Sequence, residues 1–416
     1  MATHRLYYDD SYLRCFEARV EHCVPAEPSS AISGVRPAWE VILNQSAFYP
    51  TSGGQPNDLG TLGGARVLDV RDDGEDIVHI VERELPMATV GGVIDWPRRF
   101  DHMQQHTGQH LVSAMFQERY GLPTVSFHLG GEISTIDLRG PEPSRDVLLG
   151  AQRAANAAIF EDRAIQVRYG TGEQLAALGV RKGAGREGIL RAIEIESADL
   201  QPCGGTHLKS TGQIGLLLVR RCTKIRQDWR VEFACGTRAE TMANNDFQLL
   251  RAIGERLSCA YEESVGAMER ALAERDAHFK GLRTALEQLA ASWAKSLVSG
   301  SAEGQDGVRV VAILLRAEHP ELLLPLATEL SKNERTVALL IHGETGQLVF
   351  AQHSSAGKDL TAILKKLLES FAGKGGGTRD FVRAKLADVG ASPEALDAAK
   401  EAVGKTVRVE GGAAPA

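Results

Sequence analysis

The sequence predicts an α+β chain in four stretches. These are a β-rich, barrel-like stretch over 1–95, an α+β stretch over 96–240, a helical stretch with coiled-coil character over 241–299, and a compact α/β unit over 300–416. Three observations predict it. In TLGGARVLDVRDDGEDIVHIVER apolar residues alternate between Asp/Gly turns, the period of two that marks strands. From 96 to 240 helical and strand-like runs follow one another with hairpin-length links, which favours a largely antiparallel sheet packed against helices. From Leu250 to Leu297 apolar residues recur mostly at steps of three and four, the period of a helix.

In the first stretch WEVILNQSAFYP starts as a strand and ends in turn residues, and DDGED reads as a hairpin loop. Tyr49-Pro50 and the run Ser52-Gly53-Gly54-Gln55-Pro56 exclude helix and central strand, so 48–60 is a tight surface loop or a place where backbone approaches a ligand. Trp96-Pro97 leads into a helix with Asp101 as its N-cap or first-turn acid, anchored by Leu111, Met115 and Phe116. Gly108 costs that helix about 1 kcal/mol against Ala. Either a ligand approaches there or the helix packs tightly on a strand. Residues 124–138 make two strands joined by Gly130-Gly131. Then come an Ala-rich helix at 146–160, a strand at 164–169, a short helix at 173–178, a loop through RKGAGREG, and further strands. The apolar stripe is one long helix or an αα-hairpin, and GSAEGQDG is a linker. In the last stretch strands and helices alternate, GKGGGTRDFVRAKL reads as a Gly-rich loop feeding a helix, and the tail GGAAPA is expected to be disordered.

A chain of 416 residues is long enough for two or three domains. No apolar run approaches a membrane span, and MATHRLYYDD lacks the apolar core of a signal peptide, so a cytoplasmic location is expected. Six scattered cysteines suggest reduced thiols or metal ligation rather than a disulfide framework. A net charge of −7 argues against a nucleic-acid coat protein, yet Arg220, Arg221, Lys224, Arg226 and Arg230 cluster with only Asp228 opposing them. Such a patch meets phosphates or is a solvated hairpin.

The run DHMQQHTGQH places His106 and His110 four apart, on one helix face. Cys203 and His207 repeat that spacing in the Gly-rich segment CGGTH. Imidazole nitrogen and thiolate sulfur are zinc ligands, so the two pairs supply a Cys-His-His-His set. If all four bind, the site is closed like a structural one, and a zinc staple is the competing reading.

HTGQHLVSA together with QPCGGTHLKSTGQIG resembles the editing domain of alanyl-tRNA synthetases and of their free-standing relatives, the AlaX alanyl-tRNA editing proteins. FYPTSGGQPNDLG, SFHLGGEISTIDL and RVEFACGTRA agree with it, and the last stretch resembles the DHHA1-type domain of the long form. The resemblance implies a trans-acting hydrolase that removes serine, with glycine as a second candidate, from mischarged tRNA(Ala), with zinc at the four ligands. It implies that Gly53 and Gly54 adjoin the pocket. Thr107, Gln55, His128, Thr135 and Ser126 are then candidates for the group that meets a serine hydroxyl, which a size-selecting synthetase pocket cannot exclude. The basic cluster and Lys374, before a presumed helix N-terminus, are candidates for tRNA phosphates. A homodimer through 241–299 or the last unit is the expected assembly. The alternatives are a non-enzymatic tRNA-binding protein with a structural zinc, another zinc hydrolase, a DHH-type phosphoesterase, and a fragment of a synthetase. Asp101-His102-Met103 is not Asp-His-His, and no stretch reads as an ATP-binding aminoacylation module.

Overall fold

The computed structural model describes residues 2–26, 38–180 and 188–404. The expected loop at 181–187 and the tail lie outside the described residues. The chain divides into two compact units, Met1–Ala252 and Ile253–Ala416.

In the first unit six strands close into a barrel. Its neighbours run in the order Cys15–Pro25, Trp39–Leu43, Asp76–Val81, Ala65–Asp73, Gly60–Leu62, Thr89–Ile94. All these pairings are antiparallel. Alternate residues point inward, as the period of two requires, and Phe16, Val41, Leu43, Phe48, Leu62, Val70 and Ile77 fill the interior. Gly74, at φ +68°, makes the tight turn of the DDGED hairpin.

The helix Trp96–Tyr120 follows. Asp95 caps it by accepting from the Arg98 amide, Pro97 occupies its first turn, and Gly121 ends it in the left-handed region. Asp101 is therefore not the cap; it lies more than a turn inside and pairs with Arg238. The Trp-Pro signal shifts the start upstream of the expected acid. Almost every residue from His102 to Phe116 is buried, polar ones included, so this helix runs through the middle of the unit. One side meets a four-stranded antiparallel sheet in the order Leu217–Ile225, Asp228–Cys235, Ser134–Leu138, Thr124–Leu129. The helix Arg145–Phe160, capped by Ser144, adds its alanines to the same core. A smaller antiparallel sheet holds Ile165–Gly170, Leu190–Ile195 and Asp199–Pro202. Arg99 ties the helix to the barrel: its guanidinium donates to Asp58 and to the carbonyls of Ser11 and Ala47, and both ionic partners are fully buried. A buried pair is tolerable only when its hydrogen bonds are filled in this way.

The expected long helical stretch is two helices, Gly236–Arg256 and Ser264–Gly300, broken at 257–263. In the second unit Leu286, Ala290, Ala294 and Leu297 are buried in its own core, whereas Val265, Met268, Leu272, Phe279, Leu282 and Leu289 are exposed. A five-stranded sheet runs Arg309–Leu315, Thr336–His342, Gln347–Gln352, Phe381–Leu386, Gly373–Thr378; the first pair is parallel and the others antiparallel. The Gly-rich stretch is thus an edge strand hairpinned to its neighbour, not a loop feeding a helix. A Cβ on Gly375 would lie 2.2 Å from that of Ala384, so close strand packing accounts for a glycine there. No helix N-terminus follows Lys374, and the expected phosphate cradle of that kind is absent from the described residues. Among the described residues no helix is long and apolar enough to cross a membrane.

Candidate metal centre

The helix carries His106 and His110 on one face, and residues 203–207 fold over that face as a loop. The ligand atoms of His106, His110, Cys203 and His207 lie within 4.8 Å of one another. Cys203 Sγ is 3.5 Å from His106 Nε2 and 3.2 Å from His207 Nε2.

Each imidazole is held through its other nitrogen. His106 Nδ1 is 2.8 Å from Gln55 Oε1, which also accepts from the Thr206 amide and so is an acceptor. His110 Nδ1 is 2.9 Å from the Asp199 carboxylate. His207 Nδ1 is 3.2 Å from Thr107 Oγ1, which also accepts from the Leu208 amide. With the proton on Nδ1, Nε2 offers its lone pair to a metal, the arrangement by which outer partners orient metal ligands. A soft thiolate with three imidazoles suits zinc, so the residues fit the group that the motif spacing suggested.

The charges of the side chains agree. Burial raises the Cys203 thiol, but His106 and His207 outweigh it and hold the group well below the usual thiol range. Burial also lowers His110, yet hydrogen bonds to Asp199 and Cys203 lift it to about 10. Burial pushes His207 down to about 3. A metal at His110 therefore competes with the proton that Asp199 and Cys203 favour there.

Local sequence explains the loop. Strand alternation puts Asp199, Gln201 and Cys203 on one face of the small sheet, and the Cys203 amide extends the ladder by donating to the Arg191 carbonyl. A Cβ on Gly205 would sit 2.2 Å from His106 Cε1, so that position takes no side chain. Gln55 is delivered by the turn at 52–55, where Gly53 and Gly54 have φ of +55° and +85°. Gly54 packs its bare Cα face on the Phe127 ring, and its carbonyl accepts from the Leu129 amide. Of the two readings of 48–60, the surface loop does not hold at Gln55, which is completely buried against the four-residue cluster.

Of the expected site residues, Gln55 and Thr107 meet the four ligands. Phe127 faces His106 with ring centres 5.6 Å apart, so the neighbours Ser126 and His128 point to the opposite face of their strand, as does Thr135, which is paired with His128. In the basic cluster Arg220 pairs with Asp246 and Arg230 with Asp137, while Lys224 lies over the Trp229 ring. Arg221 and Arg226 stand on the same hairpin. Lys374 lies in the second unit, directly opposite Lys385. Sequence reasoning missed Asp199 and Arg191. Asp199 had a signal, its even spacing from Cys203 on one strand; Arg191 had none, since its link to Cys203 is a strand pairing.

A family model described as the threonyl and alanyl tRNA synthetase second additional domain matches residues 190–237. Over 94% of this chain and 96% of the relative, the sequence is 29% identical to the alanyl-tRNA editing protein AlaX-L of Pyrococcus horikoshii. It is 31% identical to the alanyl-tRNA editing protein Aarsd1-A of Xenopus laevis, over 71% of this chain and 74% of that one. It is also 28% identical to the alanine–tRNA ligase of Pyrococcus abyssi, but covers only 43% of the ligase. A solved C-Ala domain of Aquifex aeolicus alanyl-tRNA synthetase aligns with 25% of this chain at 19% identity and a TM-score of 0.21. The identity and coverage of the editing proteins settle the question that the two histidine pairs raised: the chain belongs to the alanyl-tRNA editing proteins.

Proposed function

We propose that the chain is a trans-acting aminoacyl-tRNA deacylase that hydrolyses the ester of mischarged tRNA(Ala), with zinc at His106, His110, Cys203 and His207, with serine as the amino acid removed and glycine as a second candidate. The observation that carries the reading is the convergence of four ligand atoms with every imidazole Nδ1 held by Gln55, Asp199 or Thr107. Zinc supplies a Lewis acid beside the ester, and an ester needs only modest polarisation and good positioning.

The chain's own side chains do the positioning. Gln55 spends both ends of its amide, on His106 and on Thr206, and acts by fixing the cluster rather than by meeting substrate. Thr107 Oγ1 accepts twice, which leaves its O–H to donate; it is the candidate for a serine hydroxyl. Gly205 and Gly54 let the loop and the turn close directly on His106 and Phe127, which holds the cluster in place. Such a site completes a discrimination that a pocket built for alanine cannot make by size.

Arg221, Lys224 and Arg226 supply phosphate contacts, with the ion-paired Arg220 and Arg230 beside them. Lys374 and the last unit add tRNA affinity, and the exposed apolar residues of Ser264–Gly300 pair two chains. The ester-hydrolysing site resides in 1–240 and 308–404 mainly contributes tRNA affinity, so removing 300–416 weakens tRNA binding more than the rate at saturating substrate. The deciding experiment is deacylation of tRNA(Ala) charged with serine, glycine or alanine, with and without chelator, alongside elemental analysis, for which about one zinc per chain is expected. A folded, metal-free and fully active preparation would remove zinc from the reading.

A further inference from the structure

Arg191 stands on the middle strand of the small sheet, opposite Tyr169. Its Nη1 donates to the carbonyl of Cys203 at 2.7 Å and of Gly205 at 3.0 Å, so one edge of the guanidinium clamps the metal-ligand loop. The other edge is the lateral fork of Nε and Nη2. Both atoms are shielded from solvent and neither has a hydrogen-bond partner among the described residues. Charged N–H groups kept from water without acceptors are costly, and a native fold that keeps them calls for a ligand.

The surroundings say which ligand. The guanidinium lies 5.4 Å from the centre of the half-exposed Tyr8 ring. Arg191 and Tyr8 line a cleft of about 100 Å³ whose wall includes the metal ligand His207. Lys209 lines it too, with its Nζ over the Tyr12 ring at 4.3 Å. Two carboxylates reach the cleft but are engaged: Asp9 pairs with His4 and Asp10 accepts from the Tyr12 amide. A lateral guanidinium fork matches two oxygens of one anion. In an aminoacylated tRNA the ester sits on the terminal ribose, and the nearest anion is the phosphodiester on the 5′ side of that nucleotide.

We propose that the Arg191 fork binds the last phosphodiester of the acceptor strand, with Tyr8 turning aside to admit it and Lys209 as the second cation. Arg191 then has two edges with two tasks: one holds the Cys203 loop and the other registers the substrate's 3′ end against it. This rests on the deacylase reading of the metal centre.

The test compares a charged tRNA with one whose terminal phosphodiester is a neutral methylphosphonate. Wild-type activity on the native substrate tests the deacylase reading; the difference between substrates tests the fork. In the wild type the methylphosphonate should raise KM about tenfold at nearly unchanged kcat, the loss expected for a bidentate charged contact. Arg191→Lys keeps the charge but not the fork. It should raise KM on the native substrate similarly and show no further penalty for the methylphosphonate, compared at equal metal content. Equal KM values for the two substrates in the wild type overturn the proposal, and that comparison stands even where Arg191→Lys fails to fold. Inorganic phosphate that binds through Arg191 while the methylphosphonate makes no difference would mark the fork as a free-anion site and overturn it as well.

Discussion

The two halves of the metal centre share a spacing and nothing else. His106 and His110 are four residues apart on a helix, where 3.6 residues per turn stacks them. Cys203 and His207 are four apart across a loop, where spacing fixes no geometry. The helical pair needs outside help only to turn its rings, from Gln55 and Asp199. The loop pair needs its backbone held as well. Arg191 clamps two of its carbonyls, Thr107 takes the Leu208 amide, Gln55 takes the Thr206 amide, and Gly205 lies flat on His106. Regular structure presets ligands cheaply, and an irregular segment reaches the same order only through added side-chain bonds.

The largest effect belongs to the soft ligand. Cys203→Ala should lower deacylation by more than about a hundredfold and release the metal, while tRNA affinity stays within a few-fold because the basic hairpin is untouched. A folded Cys203→Ala protein that deacylates at the wild-type rate would mean that the centre is a staple.

Next come the outer partners, which separate the two halves. Thr107→Val frees the His207 ring and strands the Leu208 amide, so metal affinity should fall by up to about a hundredfold in a chelator competition. Asp199→Asn keeps an oxygen facing His110 on a ring already placed by the helix, and should cost about tenfold. The reverse order would show that the helix does not preset its pair.

The same contrast explains what could be read in advance. Periodic signals carried the strands of the first stretch, the histidine pair and the apolar stripe, because each rests on spacing along the chain. The Gly373–Thr378 strand was missed because glycines carry no side-chain period, and only its pairing with Phe381–Leu386 defines it. Asp95 displaced Asp101 as cap because both acids stand near a helix start and Pro97 decides between them. His128 and Thr135 were candidates as polar groups for a serine hydroxyl, and the hairpin register turns them to the far face of their strands. Arg191 reaches Cys203 only across strands, a relation that no local pattern encodes.

Gly108, between the two histidines, gives the smallest expected effect and the sharpest reading of the helical half. A Cβ there would lie 2.2 Å from Cys235 Sγ, with Cys235 Cβ at 3.5 Å and Ile214 Cγ2 at 3.7 Å. The glycine therefore serves packing on the strand Asp228–Cys235. Gly108→Ala should lose about 1–3 kcal/mol from overpacking, offset in part by the roughly 1 kcal/mol that Ala gains over Gly in a helix. Denaturant melts would measure it. Cys235→Ala removes the clashing sulfur and leaves its Cβ at an ordinary contact distance, so the double variant should recover most of the loss and bind metal as the wild type does. If the double variant regains stability but not metal affinity or deacylation, the glycine serves a ligand, and the helical half is not as self-sufficient as its spacing suggests.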